Sequence, residues 1–274
     1  MAETLDMLTL CCALALPLTA PPVVQTETPT DRCVDASWIV KRVGGDLNAT
    51  ITQDGDLITF GSARIDTPLP EGYPPPTPPG AIDLKKYPSL RRAVVRGNGS
   101  PDLGMNLAFW PLFRHIERHD IAMTSPVEMD YATVLFPEFT EHHLTGDADS
   151  LNRGGAPSEN AWSMAFLYRT PDMGAPGLEG RVEVEDTPPL TVIAIGFQGN
   201  YGRALVRRQL SALYDWLADH PEWEVAGPPR ALFYNGPEQR PAYRWAEAQL
   251  PIRVVPDAAR SLDRHVSETS TITP

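Results

Sequence analysis

The sequence predicts an α+β protein whose core is an eight-stranded, mostly antiparallel sheet made of two βαββ repeats, with two helices on its outer face. Three observations predict this fold. The chain resembles itself at an offset of 100 residues, two segments have an amphipathic helical pattern, and strand-like stretches follow each of them. A sheet of this size tends to curl toward a barrel, so we expect a cleft inside it.

Length and composition favour a chain that folds on its own around a substantial core. It has 274 residues, of which 42% are hydrophobic. The formal net charge is −12, and an acidic surface repels nucleic acid and anionic membranes. We therefore expect no nucleic-acid partner. All three cysteines lie before residue 34, which leaves no disulfide framework or zinc site to predict.

A short apolar segment, MLTLCCALALPLTA at 7–20, lies near the start of the chain. It has the length of a signal peptide and is too short to span a bilayer as a helix, so we expect no integral membrane span. Its position and the small residues near Thr19 and Ala20 favour export. The acidic residues Glu3 and Asp6, without basic residues before the segment, argue against it. Export to the periplasm or the exterior and retention in the cytoplasm both stay open.

Composition divides the chain into five parts. Residues 1–35 are a leader followed by a tether, and the tether at 21–35 is rich in Thr, Pro and acidic residues. Short apolar stretches separated by Gly-Gly and Asp-Gly pairs predict a small β element at 36–66. The next part, 67–80, contains seven prolines and is expected to be an extended linker. The main domain is predicted at 81–255, and a polar tail at 256–274.

The internal repeat lies at the start of each half of the main domain. DLKKYPSLRRAVV at 83–95 matches EVEDTPPLTVIAI at 183–195. The matched pairs are Asp83 with Glu183, Leu84 with Val184, Pro88 with Pro188, Leu90 with Leu190, and Val95 with Ile195. Each copy runs into a turn of Gly and Asn and then into a helical pattern, so both halves begin with the order strand, turn, helix.

Each half continues with an amphipathic helix. Pro111 lies within the first one, and because proline lacks an N–H and clashes one turn back, we expect this helix to begin near Trp110 or to be kinked there. Its apolar stripe has the spacing i, i+3, i+4, i+7 and consists of Phe109, Leu112, Phe113 and Ile116. The apolar face of the second helix consists of Val206, Leu210, Leu213 and Leu217.

Strand-like stretches follow both helices. They are IAMTSPVEM at 121–129, SMAFLYR at 163–169, RALFYN at 230–235 and YRWAEAQLPIRVV at 243–255. The string IAMTSPV, placed after the helix FWPLFRHIERHD, resembles the Lys/Ile-x-Met-Thr-Ala/Ser-Pro-Val element of the SOUL haem-binding protein family. The likeness covers roughly 81–255. Ser125 stands where the family more often has Ala, and YRWAEAQLPI keeps only the apolar character of the family's closing segment.

The resemblance implies a distorted β-barrel of two pseudosymmetric halves with two flanking helices. It also implies binding of haem or another tetrapyrrole, in some members through an axial histidine and in others largely by apolar contact. The expected function is therefore carriage or buffering of haem. The axial ligand is not part of the shared motif and has to be sought among the residues of this chain.

Two histidines on the first helix are the candidate iron ligands. Haem needs an apolar slot, basic groups for its propionates and often an axial side chain. His115 and His119 are four residues apart, so they project on one side of the helix and border its apolar stripe near Leu112. We predict that one imidazole binds iron while the ring lies over Leu112 and Phe109. The alternative is that both histidines are solvated surface residues.

The remaining candidates are two arginines and a methionine. Arg114 and Arg118 lie together on one side of the helix and are predicted to bind the propionates, although exposed arginine pairs often have no such role. Met123 is a further candidate for contact with the cofactor, although buried methionine more often serves packing.

The sequence gives no sign of an enzyme, since it has no nucleophile elbow, HExxH, phosphate loop or CxxC. The alternative to haem binding is a module similar to gyrase-inhibitor-like effectors. Such a module would bind another small hydrophobic ligand or a protein partner without iron. An acidic residue deep in the cleft would favour this alternative, and Glu247 in the last strand is the candidate.

Overall fold

A computed structural model describes residues 39–131, 136 and 162–255, and all of them belong to one compact unit, Ser37–Pro274. The predicted leader and tether and the polar tail lie outside the described residues. The first helix, α1, is Pro101–Arg118, and the second, α2, is Arg203–Ala218. Within the described part of the chain, no helix is both long enough and apolar enough to cross a membrane.

The strands are numbered in chain order. Those before α1 are β1 (Val40–Gly45), β2 (Thr52–Asp54), β3 (Leu57–Phe60), β4 (Ala63–Ile65), β5 (Ala81–Tyr87) and β6 (Leu90–Gly97). Those between the helices are β7 (Val127–Tyr131), β8 (Trp162–Leu167), β9 (Gly177–Glu179), β10 (Val182–Thr187) and β11 (Leu190–Gln198). Those after α2 are β12 (Trp223–Val225), β13 (Arg230–Phe233) and β14 (Trp245–Val254).

Eleven of the described strands form one antiparallel sheet in the order β1-β5-β11-β14-β13-β7-β8-β6-β10-β9, with β12 beside β14. Strands β2, β3 and β4 form a separate small sheet. The predicted α+β class, the large antiparallel sheet and the two helices are therefore confirmed. The predicted eight-stranded barrel is not, because the described sheet stays open and has more strands. The duplication itself stays a prediction. The order strand, strand, helix, strand, strand occurs in β5, β6, α1, β7 and β8, and again in β10, β11, α2, β13 and β14 if the short strand β12 is left aside.

Two short links explain why the sheet curls without closing. Only residues 88–89 join β5 to β6, yet five strands lie between them in the sheet. Residues 188–189 join β10 to β11 across five strands in the same way. Three residue steps span at most about 11 Å, so each link draws distant strands together at one end. Both links contain proline, which has no backbone N–H and so cannot donate a hydrogen bond between the strands that the links draw together.

Side chains alternate across the strands and divide the core in two. On β14, Ala246 and Leu250 belong to the apolar cluster beneath the helices, whereas Trp245 belongs to a cluster on the opposite face. We call this opposite face the second face of the sheet. Its cluster also includes Ile58 from the small sheet and Tyr73 from the proline-rich stretch.

The residues before 81 pack on the large sheet. The sequence suggests a separate β element and an extended linker there, and the structure shows β1 paired with β5 at the sheet edge. We call 67–80 the proline segment. The carbonyl of Thr77 accepts the indole N–H of Trp245 at 2.7 Å. A Cβ on Gly196 would lie 2.2 Å from the same carbonyl oxygen, so only glycine permits this close approach.

Helix α1 begins nine residues before the predicted start, at Pro101, and contains Pro111 in its interior. Proline is favourable in the first turn because its missing N–H would have no intrahelical partner there. The predicted start near Trp110 is therefore wrong, and the alternative of a kink there stays a prediction.

The buried face of α1 is rotated relative to the predicted stripe. Ala108, Leu112 and His115 are buried, whereas Phe113 is exposed. The cause is a small residue that sequence periodicity ignores. A Cβ on Gly104 would lie 2.1 Å from the indole of Trp162, so the absence of a side chain lets this side of the helix approach the sheet closely.

We expect Gly104→Ala to destabilise the protein by about 1–2 kcal/mol, because the overpacking against Trp162 outweighs the gain in helix propensity. The measurement is the free energy of unfolding in urea. Asn106→Ala, at an exposed position of the same helix, is the matched control and should change that free energy by less than about 0.5 kcal/mol. Equal stability of Gly104→Ala and the wild type would contradict the proposed packing.

Candidate functional site

The two predicted histidines lie at the C-terminal end of α1, next to a third group. His115 is buried, whereas the side chain of His119, just after the helix, is 46% exposed. Their ring centroids are 4.6 Å apart. One carboxylate oxygen of Glu179, on the short strand β9, lies 3.0 Å from Nδ1 of His115 and 2.7 Å from Nε2 of His119. The structure therefore joins both imidazoles through one carboxylate.

The two predicted arginines have different surroundings, and their binding of propionates stays a prediction. Arg118 donates a hydrogen bond to the other carboxylate oxygen of Glu179, while Arg114 is exposed. Glu179 is not among the residues predicted from the sequence, because it lies 60 residues after His119 on a strand of three residues. The available signal was the string GLEGRVEV, in which Gly180 has a φ of +61° and forms the turn between β9 and β10.

Both ring nitrogens of His115 are engaged. Nε2 lies 2.9 Å from the hydroxyl of Tyr168, and burial lowers the pKa of His115, with the nearby His119 and Arg118 adding to the effect. A neutral imidazole has one donor and one acceptor. Burial raises the pKa of Tyr168, so its O–H donates to Nε2, and Nδ1–H of His115 donates to Glu179. His115 thus orients the carboxylate and could bind a metal only by giving up one of these two hydrogen bonds.

The three side chains have the composition of a metal site. His115, His119 and Glu179 each offer one ligand atom, and these atoms lie within 4.8 Å of one another. Two imidazoles and a carboxylate suit borderline metals such as zinc or iron. For haem iron one axial imidazole is sufficient, and His119 is the more accessible of the two.

The predicted apolar contacts lie mainly in the core. Leu112 is completely buried, and Met123 is partly buried against the cluster beneath the helices. Phe109 packs edge-on against Phe166 with ring centroids 5.4 Å apart. Phe109 also stacks on Phe113 at 5.8 Å. The contact of Leu112, Phe109 and Met123 with a tetrapyrrole stays a prediction.

An exposed apolar stripe occupies the other side of α1. It consists of Leu103, Leu107 and Trp110, of which Trp110 is 58% exposed. At about 100° per residue, Trp110 and His119 point in opposite directions from the helix axis. One macrocycle therefore cannot bind His119 and lie on this stripe at the same time.

Glu247, the acidic residue considered for a cationic ligand, is completely buried under the proline segment. One of its oxygens accepts hydrogen bonds from the backbone N–H of Thr77, from Nζ of Lys85 and from the hydroxyl of Tyr234, each at 2.7 Å. Burial lowers the pKa of Lys85. A cationic ligand would have to displace this lysine, so the geometry does not favour the alternative.

The fold and the site together define an α+β protein with an open, curled antiparallel sheet and a histidine pair at the end of its first helix. The family model of the SOUL heme-binding protein matches residues 77–251, which is more than half of the chain. The chain belongs to the SOUL haem-binding protein family, and the resemblance predicted from IAMTSPV is confirmed.

Three solved structures show a distant likeness to this chain. The C-terminal domain of EcmrR is 15% identical, with a TM-score of 0.47, and the match covers 64% of this chain and 98% of that one. A hydrolase from Listeria innocua is 12% identical, with a TM-score of 0.43 and coverage of 65% and 93%. SAV2435, bound to tetraphenylphosphonium, is 9% identical, with a TM-score of 0.37 and coverage of 62% and 92%. No curated protein matches the chain. These likenesses imply nothing about its function.

We expect His115→Gln to weaken the dependence of stability on pH. Because burial lowers the pKa of His115, the unfolded chain binds more protons than the folded protein just below the ordinary value of 6.5. This contribution to stability is complete above pH 6.5 and is lost as the pH falls toward the folded-state pKa. The measurement is the free energy of unfolding in urea between pH 5 and pH 8. If the free energies of unfolding of wild type and variant differ by the same amount at every pH in this range, the expectation is contradicted.

Lys85→Met should destabilise the protein by about 3–5 kcal/mol, because it leaves the buried charge of Glu247 without its cation. Adding Glu247→Gln to Lys85→Met should recover part of this loss, since the neutral amide needs no counter-charge. A thermodynamic cycle of the four proteins, measured by urea unfolding, gives the coupling. Additive effects of the two substitutions would show that the pair contributes no coupling to stability.

Proposed function

We propose that this protein binds haem or a related tetrapyrrole at the C-terminal end of α1 and carries or buffers it without catalysing a reaction. The observation that carries the proposal is the match to the SOUL family over residues 77–251. The imidazole of His119, held by Glu179 together with His115, supplies a chemically suitable iron ligand at the end of this helix.

His119 is the proposed axial ligand. Histidines that bind metals commonly give their other ring nitrogen to a carboxylate, which fixes the ring and raises its basicity. Glu179 stands in that position, 2.7 Å from Nε2 of His119, and leaves the second nitrogen for iron. His115 would act indirectly, since it binds the same carboxylate oxygen of Glu179.

Arg118 is the proposed propionate partner. Its side chain is mostly exposed and lies beside both histidines through its contact with Glu179. A guanidinium binds carboxylates with two parallel N–H groups, so it can exchange Glu179 for a propionate without leaving the site. Arg114 is exposed on the same helix and is a second candidate.

We expect purified protein to bind haemin saturably at micromolar concentration and to produce a Soret band. His119→Ala should shift or remove that band, and Glu179→Gln should weaken binding by about 10- to 100-fold because the axial ring loses its orienting carboxylate. The measurement is an absorbance titration with haemin. His220→Ala is the matched control, because it removes a histidine that stacks on Trp216 of α2.

The absence of saturable haemin binding would overturn the proposed function. An unchanged Soret band in His119→Ala, combined with loss of binding in Trp110→Ala, would instead move the site to the exposed stripe of α1. That result would keep haem binding but exclude His119 as the axial ligand.

A further inference from the structure

A pocket of about 350 Å³ lies on the second face of the sheet, at the point where the sheet curls without closing. Its walls come from both short links and the strands beside them and include Pro88, Leu90, Pro188 and Leu190. On β7 the side chains of Glu128 and Asp130 line the pocket, whereas Met129 between them points to the opposite face and belongs to the cluster beneath the helices. The pocket therefore opens away from α1 and is separate from the histidine pair.

Charged residues from β6, β7 and β13 complete the lining, namely Arg92, Glu128, Asp130 and Arg230. Three of the four carboxylate oxygens already accept hydrogen bonds. Glu128 accepts from Arg92 through one oxygen and from Arg230 through the other. One oxygen of Asp130 accepts from Arg92 at 3.0 Å and from the hydroxyl of Ser163 at 3.1 Å. A cationic ligand would have to compete with two arginines for these oxygens.

One nitrogen of the Arg230 guanidinium, Nη2, has no hydrogen-bond acceptor among the described residues. Arg230 is only 8% exposed. Its Nε donates to Oε1 of Gln249 at 2.8 Å, and its Nη1 donates to Glu128 at 3.1 Å. Its Nη2 is buried and has no hydrogen-bond partner among residues 39–131, 136 and 162–255. Buried charged donors are rarely left unpaired, so this nitrogen points to an absent acceptor.

The planar face of Arg230 is also occupied. Its guanidinium carbon lies 4.9 Å from the centre of the Tyr87 ring, and Tyr87 lines the same pocket. Stacking uses the face of a guanidinium and leaves its edge, where the N–H groups point, for an acceptor in the plane. The ligand group that fits this edge is a carboxylate or a similar planar anion.

We infer that this pocket binds a small apolar molecule with a single carboxylate, whose oxygen accepts from Nη2 of Arg230 while its apolar body lies between Leu90 and Leu190. The prolines and leucines of the two links exclude water from that body. Glu128 and Asp130 in the same lining repel multiply charged anions, so a phosphate dianion fits less well than a carboxylate. The inference does not depend on haem binding.

The test uses three probes that share one ring system and differ in charge: 1-naphthoate, 1-naphthamide and 1-naphthylmethylammonium. Isothermal titration calorimetry without haemin measures their affinities for the full chain. We expect 1-naphthoate to bind saturably and about ten-fold or more tightly than the neutral amide, because the charge-assisted hydrogen bond is lost in the amide. The ammonium compound should bind most weakly.

Two variants locate the site. Leu190→Trp fills the pocket and should abolish binding of 1-naphthoate, whereas Leu47→Trp, at an exposed position outside the lining, should leave it unchanged. Arg230→Gln should make the affinities for 1-naphthoate and 1-naphthamide equal. Circular dichroism shows whether Arg230→Gln folds, and if it does not, the probe series and Leu190→Trp decide the question.

Three results would overturn the inference: no saturable binding of 1-naphthoate, equal or tighter binding of the ammonium compound, or unchanged binding in Leu190→Trp. His119→Ala should bind 1-naphthoate like the wild type. Failure of this pocket and failure of the proposed haem site are therefore distinguishable.

Discussion

The buried carboxylate of Glu247 is the interaction on which the second face of the sheet depends. An ion of this kind is stable in the interior only when its acceptor sites are filled, and removing one partner is costly. Here four parts of the chain supply the donors, which are the backbone of Thr77 and the side chains of Lys85, Tyr234 and Gln249. The proline segment is therefore a structural part of this face, because Thr77 N–H comes from it. The indole of Trp245 attaches the same residue a second time.

The hydrogen bonds of Glu247 continue across the sheet to the pocket between the two links. Gln249 donates to Glu247 and to the hydroxyl of Tyr87, and it accepts from Arg230. Arg230 then reaches Glu128, which binds Arg92. In a buried network each partner fixes the geometry of the next, so these hydrogen bonds hold Arg230 through its Nε and Nη1. They leave Nη2 as the nitrogen of this guanidinium without a partner among the described residues.

The sequence predicts most of the architecture and only part of the site. Apolar periodicity located both helices, and IAMTSPV located the family, because these signals are local. In the structure Ser125 of that motif donates its hydroxyl hydrogen to the carbonyl of Thr67, a contact across 58 residues that no local pattern contains. The rotation of α1 depends on Gly104, and periodicity gives no weight to glycine. The sheet stays open because residues 88–89 and 188–189 join strands that are not neighbours in it. Hydrophobic patterns do not give the order of strands in a sheet, so the sequence could not predict this feature.

The repeat relates the strands of the two halves more closely than their helices. This difference affects how many haem molecules one chain would bind on the proposed function. At the offset of 100 residues His115 and His119 align with Asp215 and Asp219. At the end of α2 the nearby His220 stacks on Trp216 and bonds its backbone carbonyl, so that imidazole serves packing within its own helix. The second half therefore lacks the carboxylate-linked imidazole pair of α1. On the proposed function, the described part of the chain has one axial site, at the end of α1.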